Sequence, residues 1–348
     1  MPLPALNDRE RRILEAVIQS YVETAEPTGS RSLARRFGFG VSPATIRNTM
    51  SDLEEKGYLY HPHTSAGRVP TDIAYRMYVD SLMRLAPASL PLPEKDDLME
   101  RLAAGGSAIE NILRCAAQSL GLLTQELGIA LGPRMDQTVL ERLDLVRLSS
   151  ERLLLVLGLR GGAMRTIFVE VAGAIADPVL TEVALVLNER LAGLTLREIR
   201  ASLASRLRDT VPSEDAGQLL NIFVQGADSM FDAPLATDND VVLGAASVLA
   251  EQPEFASGDS LRRLIALTET RQHLSELLRK RSITGGITIT IGNENADPRL
   301  DNLTIVTAEY RAGPLGGVIG VIGPTRMPYE KVISLVSHTS QMISALFA

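Results

Sequence analysis

The residues best suited to chemistry lie between Ser30 and Arg68. Arg31, Arg35, Arg36 and Arg47 fall within Thr28–Ser51, a stretch that carries no acidic residue. A local excess of positive charge of this kind is the footprint expected for phosphate groups. Ser42-Pro43 reads as a helix start: the serine side chain caps, and proline at the first helical position loses no useful N–H. If Ile46, Met50 and Leu53 form the buried stripe of that helix, Ala44, Thr45, Arg47, Asn48 and Ser51 are left facing outward. An arginine fork matches guanine O6 and N7, and an asparagine amide matches adenine N6 and N7. Ser42, Thr45 and the helix N-terminus itself suit phosphate oxygens. The acids of this helix, Asp52, Glu54 and Glu55, all fall in its second half, so its first turn keeps a positive field. Farther along, His63, Thr64, Ser65 and Arg68 sit around the tip of a short hairpin, placed to touch backbone or minor groove. A scaffold of the same shape that binds protein instead of DNA is the competing reading.

Other candidate chemistry is thinner. His61-Pro62-His63 offers two ring ligands with no cysteine or third histidine nearby, too few for a metal site, and a role in shaping the hairpin fits better. The glycine-rich Gly313–Gly323 lacks the Gly-Lys-Ser/Thr ending of a phosphate loop and reads as a tight hairpin entering a buried strand. Glu294 and Glu309 read as solvated or salt-bridged acids. Cys115 lies among Ile112, Leu113 and Leu120 and reads as a small buried residue rather than a nucleophile. With no metal set, nucleophile–base pair or paired acids, the sequence argues against an enzyme and implies no cofactor.

Periodicity supplies the elements that position these residues. An apolar stripe, Ile13, Leu14, Val17, Ile18 and Tyr21, predicts a first helix from about Asp8 to Glu26. Leu33, Ala34 and Phe37 mark a second, a Gly38–Gly40 turn follows, and the third ends at Gly57. Tyr58–Pro62 and Arg68–Pro70 read as the two strands of the hairpin, and Asp72–Leu85 as a fourth helix. Helix, helix, turn, helix, hairpin is the order of a winged helix-turn-helix, whose third helix enters the major groove. Three prolines between Ala86 and Pro93 mark a linker. Beyond it come a long helical region at about Lys95–Leu127, a short strand at Gly128–Gly132, and a meander of Val139–Leu148, Arg152–Leu159 and Arg165–Val171. About four helices span Pro178 to Ala250 and another spans Ser260–Arg281. Strands at Ile287–Ile291, Leu303–Tyr310 and Gly317–Ile322 follow, and Met327–Leu346 closes the chain as a helix.

The chain has 348 residues, enough for two or three domains with cores of their own. One cysteine permits no internal disulfide, no secretion signal is visible, and no apolar run approaches the ~20 residues of a membrane span, so a cytoplasmic location is expected. The net charge of −7 is unevenly spread. Residues 1–84 hold 11 Lys+Arg against 10 Asp+Glu, and the remainder holds 24 against 32. A small DNA-binding part on an acidic body satisfies that pattern, whereas a wholly basic nucleic-acid coat protein does not.

Taken together, the blocks Glu26-Pro27-Thr28-Gly29-Ser30-Arg31, Ser42-Pro43-Ala44-Thr45-Ile46-Arg47-Asn48, Asp52-Leu53-Glu54, Gly57-Tyr58-Leu59, Pro62-His63-Thr64-Ser65-Ala66-Gly67-Arg68, Pro70-Thr71 and Tyr75-Arg76-Met77-Tyr78-Val79-Asp80 resemble HrcA, the family of heat-inducible repressors of bacterial chaperone operons. Ile291-Gly292-Asn293-Glu294, Gly320–Met327 (GVIGPTRM) and Tyr329 extend the likeness to the far end of the chain. The resemblance implies an α+β multidomain fold: a winged-helix DNA-binding domain at 1–90, a GAF-like α/β domain split into 91–136 and 256–348, and a three-strand, four-helix dimerisation domain inserted at 137–255. An all-helical insert, with the strands of 139–171 kept in the GAF-like sheet, is the alternative division. The resemblance also implies a homodimer on an inverted-repeat operator in double-stranded DNA. It further implies that the GroEL/GroES chaperonin keeps the repressor active until heat stress occupies the chaperonin with unfolded clients. The apolar helix Val179–Leu191 is a candidate for the dimer interface, with packing on the meander as its alternative use. Two other functions compete: a transcription factor whose GAF-like domain senses a small molecule, and, more remotely, an enzyme on a DNA-binding scaffold.

Overall fold

The computed structural model of the chain describes residues 5–63, 66–84, 95–103, 109–133, 138–160, 164–171, 173, 175–210, 213–231, 241–258, 262, 266, 271–281, 286–312 and 315–347. The first helix, α1 (Asp8–Thr24), begins at a capping box: the Asn7 side chain accepts from the Glu10 N–H at 2.9 Å, and the Glu10 carboxylate accepts from the Asn7 N–H at 3.0 Å. Two orphan donors of the helix start are thereby satisfied reciprocally. Helix α2 (Ser30–Phe37) follows, and then α3 (Pro43–Glu55), which ends in a Schellman arrangement. There the Tyr58 N–H donates to the Leu53 carbonyl and the Gly57 N–H to the Glu54 carbonyl, both at 2.9 Å, with Gly57 at φ +81° where a side chain would be strained. The turn delivers the chain into a two-stranded hairpin, β1 (Leu59–Tyr60) and β2 (Val69–Pro70), paired antiparallel. Ile13, Leu14, Val17 and Ile18 of α1, Leu33 of α2 and Ile46, Met50 and Leu53 of α3 are all buried.

Lys56, just past α3, closes this part of the fold by pairing with Glu10 at 2.7 Å. The Lys56 ammonium, helped by the capping hydrogen bond and opposed by desolvation, holds the Glu10 carboxyl below the ordinary glutamate range. A carboxyl with a depressed folded-state pKa stabilises the fold above its unfolded pKa, and that stabilisation disappears as pH falls through the lowered value. Glu10→Gln is therefore expected to lower the urea midpoint at about pH 7 and to change it much less at acid pH, below the carboxylate range. Equal losses at both pH values would assign Glu10 a packing role instead.

Helix α4 (Asp72–Arg84) leads toward a mixed layer of strands and helices. Helices α5 (Lys95–Ala103) and α6 (Ile109–Thr124) precede β3 (Leu127–Leu131), all five residues of which are buried. A five-stranded sheet runs in the order β7 (Val241–Leu243), β3, β10 (Leu315–Pro324), β9 (Leu303–Ala312), β8 (Ile287–Ile291). The pairs β3–β7, β3–β10 and β8–β9 are antiparallel. Leu127, Ile129 and Leu131 share an apolar cluster with Leu274 and Leu278 of α12 (Arg271–Arg281). On the opposite face α6 crosses β3 so closely that a Cβ on Gly128 would overlap the Ala117 carbonyl. The closing helix, α13 (Tyr329–Leu346), buries Val332, Ile333, Leu335 and Val336.

Contacts divide the chain into two compact units. One contains residues Met1–Gly132, Asp240–Tyr310 and Val318–Ala345; the other contains Pro133–Asn239, Arg311–Gly317 and Leu346–Ala348. The second unit thus leaves the chain between two strands, β3 and β7, that pair with each other. Strand β7, the short helix α11 (Ser247–Ala250) and the 3-10 turn Pro253–Phe255 lie in the first unit, whereas the sequence reading carried the insert to residue 255. Three residues of strand are too few to show a period, so the sequence pattern alone does not distinguish this stretch from helix. The N-terminal helices and the five-stranded sheet, expected as separate domains, share the first unit.

In the second unit a meander, β4 (Leu140–Arg147), β5 (Arg152–Leu159) and β6 (Met164–Glu170), is antiparallel throughout. Helices α7 (Asp177–Leu191), α8 (Leu196–Leu207), α9 (Glu214–Gln225) and the short α10 (Ala227–Met230) accompany it. Leu153, Leu155, Leu157 and Leu159 of β5 join Leu180, Val183, Leu187 and Leu191 of α7 in one core. The Asn188 amide of α7 also brackets Leu143, accepting from its N–H at 2.8 Å and donating to its carbonyl at 2.6 Å. The apolar side of Val179–Leu191 is therefore spent on the meander. The other face of the sheet carries a cross-strand apolar row, Val146, Leu154 and Phe168, with Met164 and Leu148 nearby. Phe168 is 68% exposed and Met164 71%.

Candidate nucleic-acid interface

Helix α3 presents the side chains that sequence periodicity assigned to its outer face. Ile46, Thr49, Met50 and Leu53 are buried, while Arg47 and Asn48 are exposed and Thr45 and Ser51 half-buried. Ser42 caps the helix as expected, accepting from the Thr45 N–H at 3.2 Å, and its hydroxyl lies 3.0 Å from that of Thr45. Pro43 occupies the first turn and is exposed. The free N–H groups of this turn, the positive end of the helix and the Arg47 fork are thus in one place.

The flanking arginines differ. Arg31 and Arg35 are exposed on α2 and make no ion pair among the described residues. Arg36, also exposed, is engaged: it pairs with Glu23 and lies over the Phe37 ring, 5.3 Å from its centroid. Arg68 behaves differently from the sequence expectation. Its side chain is only 12% exposed and pairs with Glu54 at 2.7 Å, which turns its charge back onto α3. His61 joins the same carboxylate, Nδ1 to Oε1, at 2.8 Å. Glu54 is therefore the anchor of the hairpin, a role its position in a row of acids did not reveal. His63 is exposed, and Thr64 and Ser65 lie outside the described residues.

The hairpin is held at its base as well. Thr28 and Arg68 exchange two backbone hydrogen bonds of 2.9 Å, so the segment before α2 forms a bridge to the returning strand. A Cβ at Gly67 would overlap the Thr28 carbonyl, so glycine there permits the approach. The Pro27-Thr28-Gly29 break thus has a definite use: it closes the hairpin against the helices and aligns it with α3.

Comparison with known proteins bears on what this surface is for. A profile described as HrcA protein C terminal domain matches residues 110–333. A heat-inducible transcription repressor HrcA from Chlorobium phaeobacteroides (strain BS1) is 40% identical over 347 residues, covering 97% of each chain. This chain belongs to the HrcA family. The protein of the same name from Chlorobium phaeovibrioides is 38% identical, covering 98% of this chain and 97% of its own. These HrcA relatives are named as transcription repressors, a class of regulators and not of enzymes. A solved hypothetical protein shares the fold, with a TM-score of 0.68 and 21% identity over 99% of both chains.

Within this HrcA-family chain the lesser candidates resolve as structure. Glu294 is ion-paired with Arg76. Cys115 is half-buried on α6, less enclosed than its buried neighbours Ile112, Leu113 and Leu120. The described part of the glycine-rich segment is strand β10, buried from Gly317 onward. Among the described residues no group of three or more His, Cys, Asp or Glu is placed to hold a metal, and no helix is long and apolar enough to cross a membrane.

Proposed function

We infer that this chain is a DNA-binding repressor of heat-shock (chaperone) operons that acts as a homodimer on an inverted-repeat operator. Its N-terminal part is a winged helix-turn-helix, with α3 as the helix that enters the major groove and β1–β2 as the wing. The observation that carries the reading is the first half of α3: a capped, acid-free helix start from which Arg47 and Asn48 project unpaired. Arg47 and Asn48 read bases there; Ser42, Thr45 and the exposed Arg31 and Arg35 hold phosphates. Pro43 sets the helix start, and Arg36, Ser51, His63, Thr64 and Ser65 complete the surface. Arg68 acts through Glu54, by fixing the wing on α3, and not as a free contact.

A palindromic operator calls for a two-fold protein. The meander of the inserted unit supports that part of the reading, because its outer face is an exposed apolar row, the usual mark of a partner surface. The five-stranded layer with helices on both faces is the GAF-like domain in this account. Heat inducibility, which the relatives' names record, follows if the GroEL/GroES chaperonin keeps the repressor folded and stress withdraws it.

Fluorescence anisotropy at fixed salt tests the whole reading. The probes are an inverted repeat from a chaperone promoter and a scrambled duplex of equal length, with and without chaperonin. A preference for the repeat of about a thousandfold or more is expected, with a larger active fraction when chaperonin is present. Equal binding of both duplexes by a folded dimer would overturn the operator reading. An active fraction indifferent to chaperonin would overturn the titration arm alone.

A further inference from the structure

Helix α1 ends with no basic residue in its last turn, so its terminal carbonyls and the negative end of its dipole lack a local cation. The cation comes from the other end of the chain. Arg326 donates from Nη1 to the Val22 carbonyl at 2.7 Å. The same guanidinium grips Glu254 with both arms, Nε to Oε1 at 2.6 Å and Nη2 to Oε2 at 3.1 Å. It is 15% exposed, so the pair is partly withdrawn from water, where a bidentate fork keeps both energy and direction.

A second tie lies on α4. Asp72 and Arg76, one turn apart, face the segment after β8. Asp72 accepts from the Asn293 backbone and side-chain N–H groups, both at 3.2 Å. Arg76 donates to Glu294 at 2.7 Å and to the Ile289 carbonyl at 2.8 Å. Gly292, at φ +49°, leaves room that a Cβ would take from the Asp72 carboxylate. Between the ties the rings of Tyr75 and Tyr329, both buried, lie 5.7 Å apart.

We propose that Arg326 and Arg76 are positioning residues that lock the DNA-reading helices onto the five-stranded sheet, so that the aim of α3 is set by the body of the protein. Helix α3 packs on α1; the end of α1 is held by one hydrogen bond from Arg326, itself forked on Glu254, and α4 is held by Asp72 and by the Arg76 fork on Glu294. The reader is thus a fixed part of the first unit and not a domain swinging on a tether. The ties are directional hydrogen bonds instead of plain apolar packing, and that specifies one docking geometry among many of similar burial. The inference rests on the DNA reading above for its consequence, though not for the joint itself.

The consequence separates aim from contact. A duplex with one half-site needs only the exposed face of α3, whereas an inverted repeat needs two readers held at the correct separation. Arg326→Met, which keeps the stem and removes the fork, is expected to lower affinity for the inverted repeat by about tenfold or more, as effective concentration is lost, and to leave a single half-site almost unchanged. Arg326→Lys, which keeps a cation for the Val22 carbonyl without the fork on Glu254, should fall between. Hydrogen exchange on the DNA-free protein reads the joint directly: faster exchange at residues 21–26 and 252–256 is expected in Arg326→Met, with α3 still protected. Equal losses on both duplexes, or unchanged exchange at those segments, would overturn the proposal. If exchange responds as expected while the native protein shows no preference for the repeat, the joint stands and the operator reading fails.

Discussion

Arg47→Ala should cost specific binding about 1–3 kcal/mol, roughly ten- to a hundredfold in affinity, and should relax discrimination at one base pair of each half-site. The residue is exposed on the first half of α3 and lacks an ion-pair partner among the described residues, so its removal leaves the helix core, Ile46, Met50 and Leu53, untouched. Arg35→Ala should act differently. It lies on α2, away from the reading face, and should weaken specific and scrambled duplexes alike while reducing the salt slope by about one counterion. Arg36→Ala should do less than Arg35→Ala, because Arg36 is already committed to Glu23 and Phe37. Titrations against both duplexes at several salt concentrations separate the three. Identical changes in affinity and slope for Arg47→Ala and Arg35→Ala would contradict the division between base reading and phosphate holding.

That surface was legible in the sequence because every signal in it is local. The Ser42 cap, Pro43 after it, the Ile46, Met50, Leu53 spacing and the Gly57 stop all lie between residues 42 and 57, and the structure places α3 within that frame. The same holds for the meander, whose strands β4 to β6 lie within one or two residues of their expected limits, because alternation and short turns are local too. What was not legible depends on residues far apart in the chain. Sequence alone makes Arg68 a wing contact, whereas it pairs with Glu54, and nothing in the spacing of an acid on α3 announces that it anchors a hairpin. Arg326 and Val22 are separated by 304 positions, and Arg76 and Glu294 by 218, so no periodicity links them. Strand β7 owes its existence to pairing with β3 across the inserted unit, and three residues cannot declare that themselves. The motifs GVIGPTRM and Ile291-Gly292-Asn293-Glu294 are marked in the sequence only by family resemblance. Their physical content, the docking of α1 and α4 on the sheet, emerges only from the contacts.

Phe168→Asp is expected to convert the protein to a monomer. Phe168 stands on the edge strand β6, at one end of the cross-strand row it forms with Leu154 and Val146, and its 68% exposure means that the protomer gives up little packing when it changes. In a two-fold interface the new carboxylate faces the partner copy's apolar row, and burying it there without a partner charge is costly. Sedimentation should therefore show a folded monomer, and affinity for the inverted repeat should fall by about 10²–10⁴, the scale of lost bivalency, with half-site binding retained. Leu185→Asp is the matched control. Leu185 is 67% exposed on α7, a helix whose apolar side is occupied by the meander, so the same charge placed there should leave the dimer intact. A monomer from Leu185→Asp and a dimer from Phe168→Asp would move the interface to the helical side. That outcome would give the apolar sheet face a different partner, because a row of this composition left open on three neighbouring strands is a liability unless something covers it.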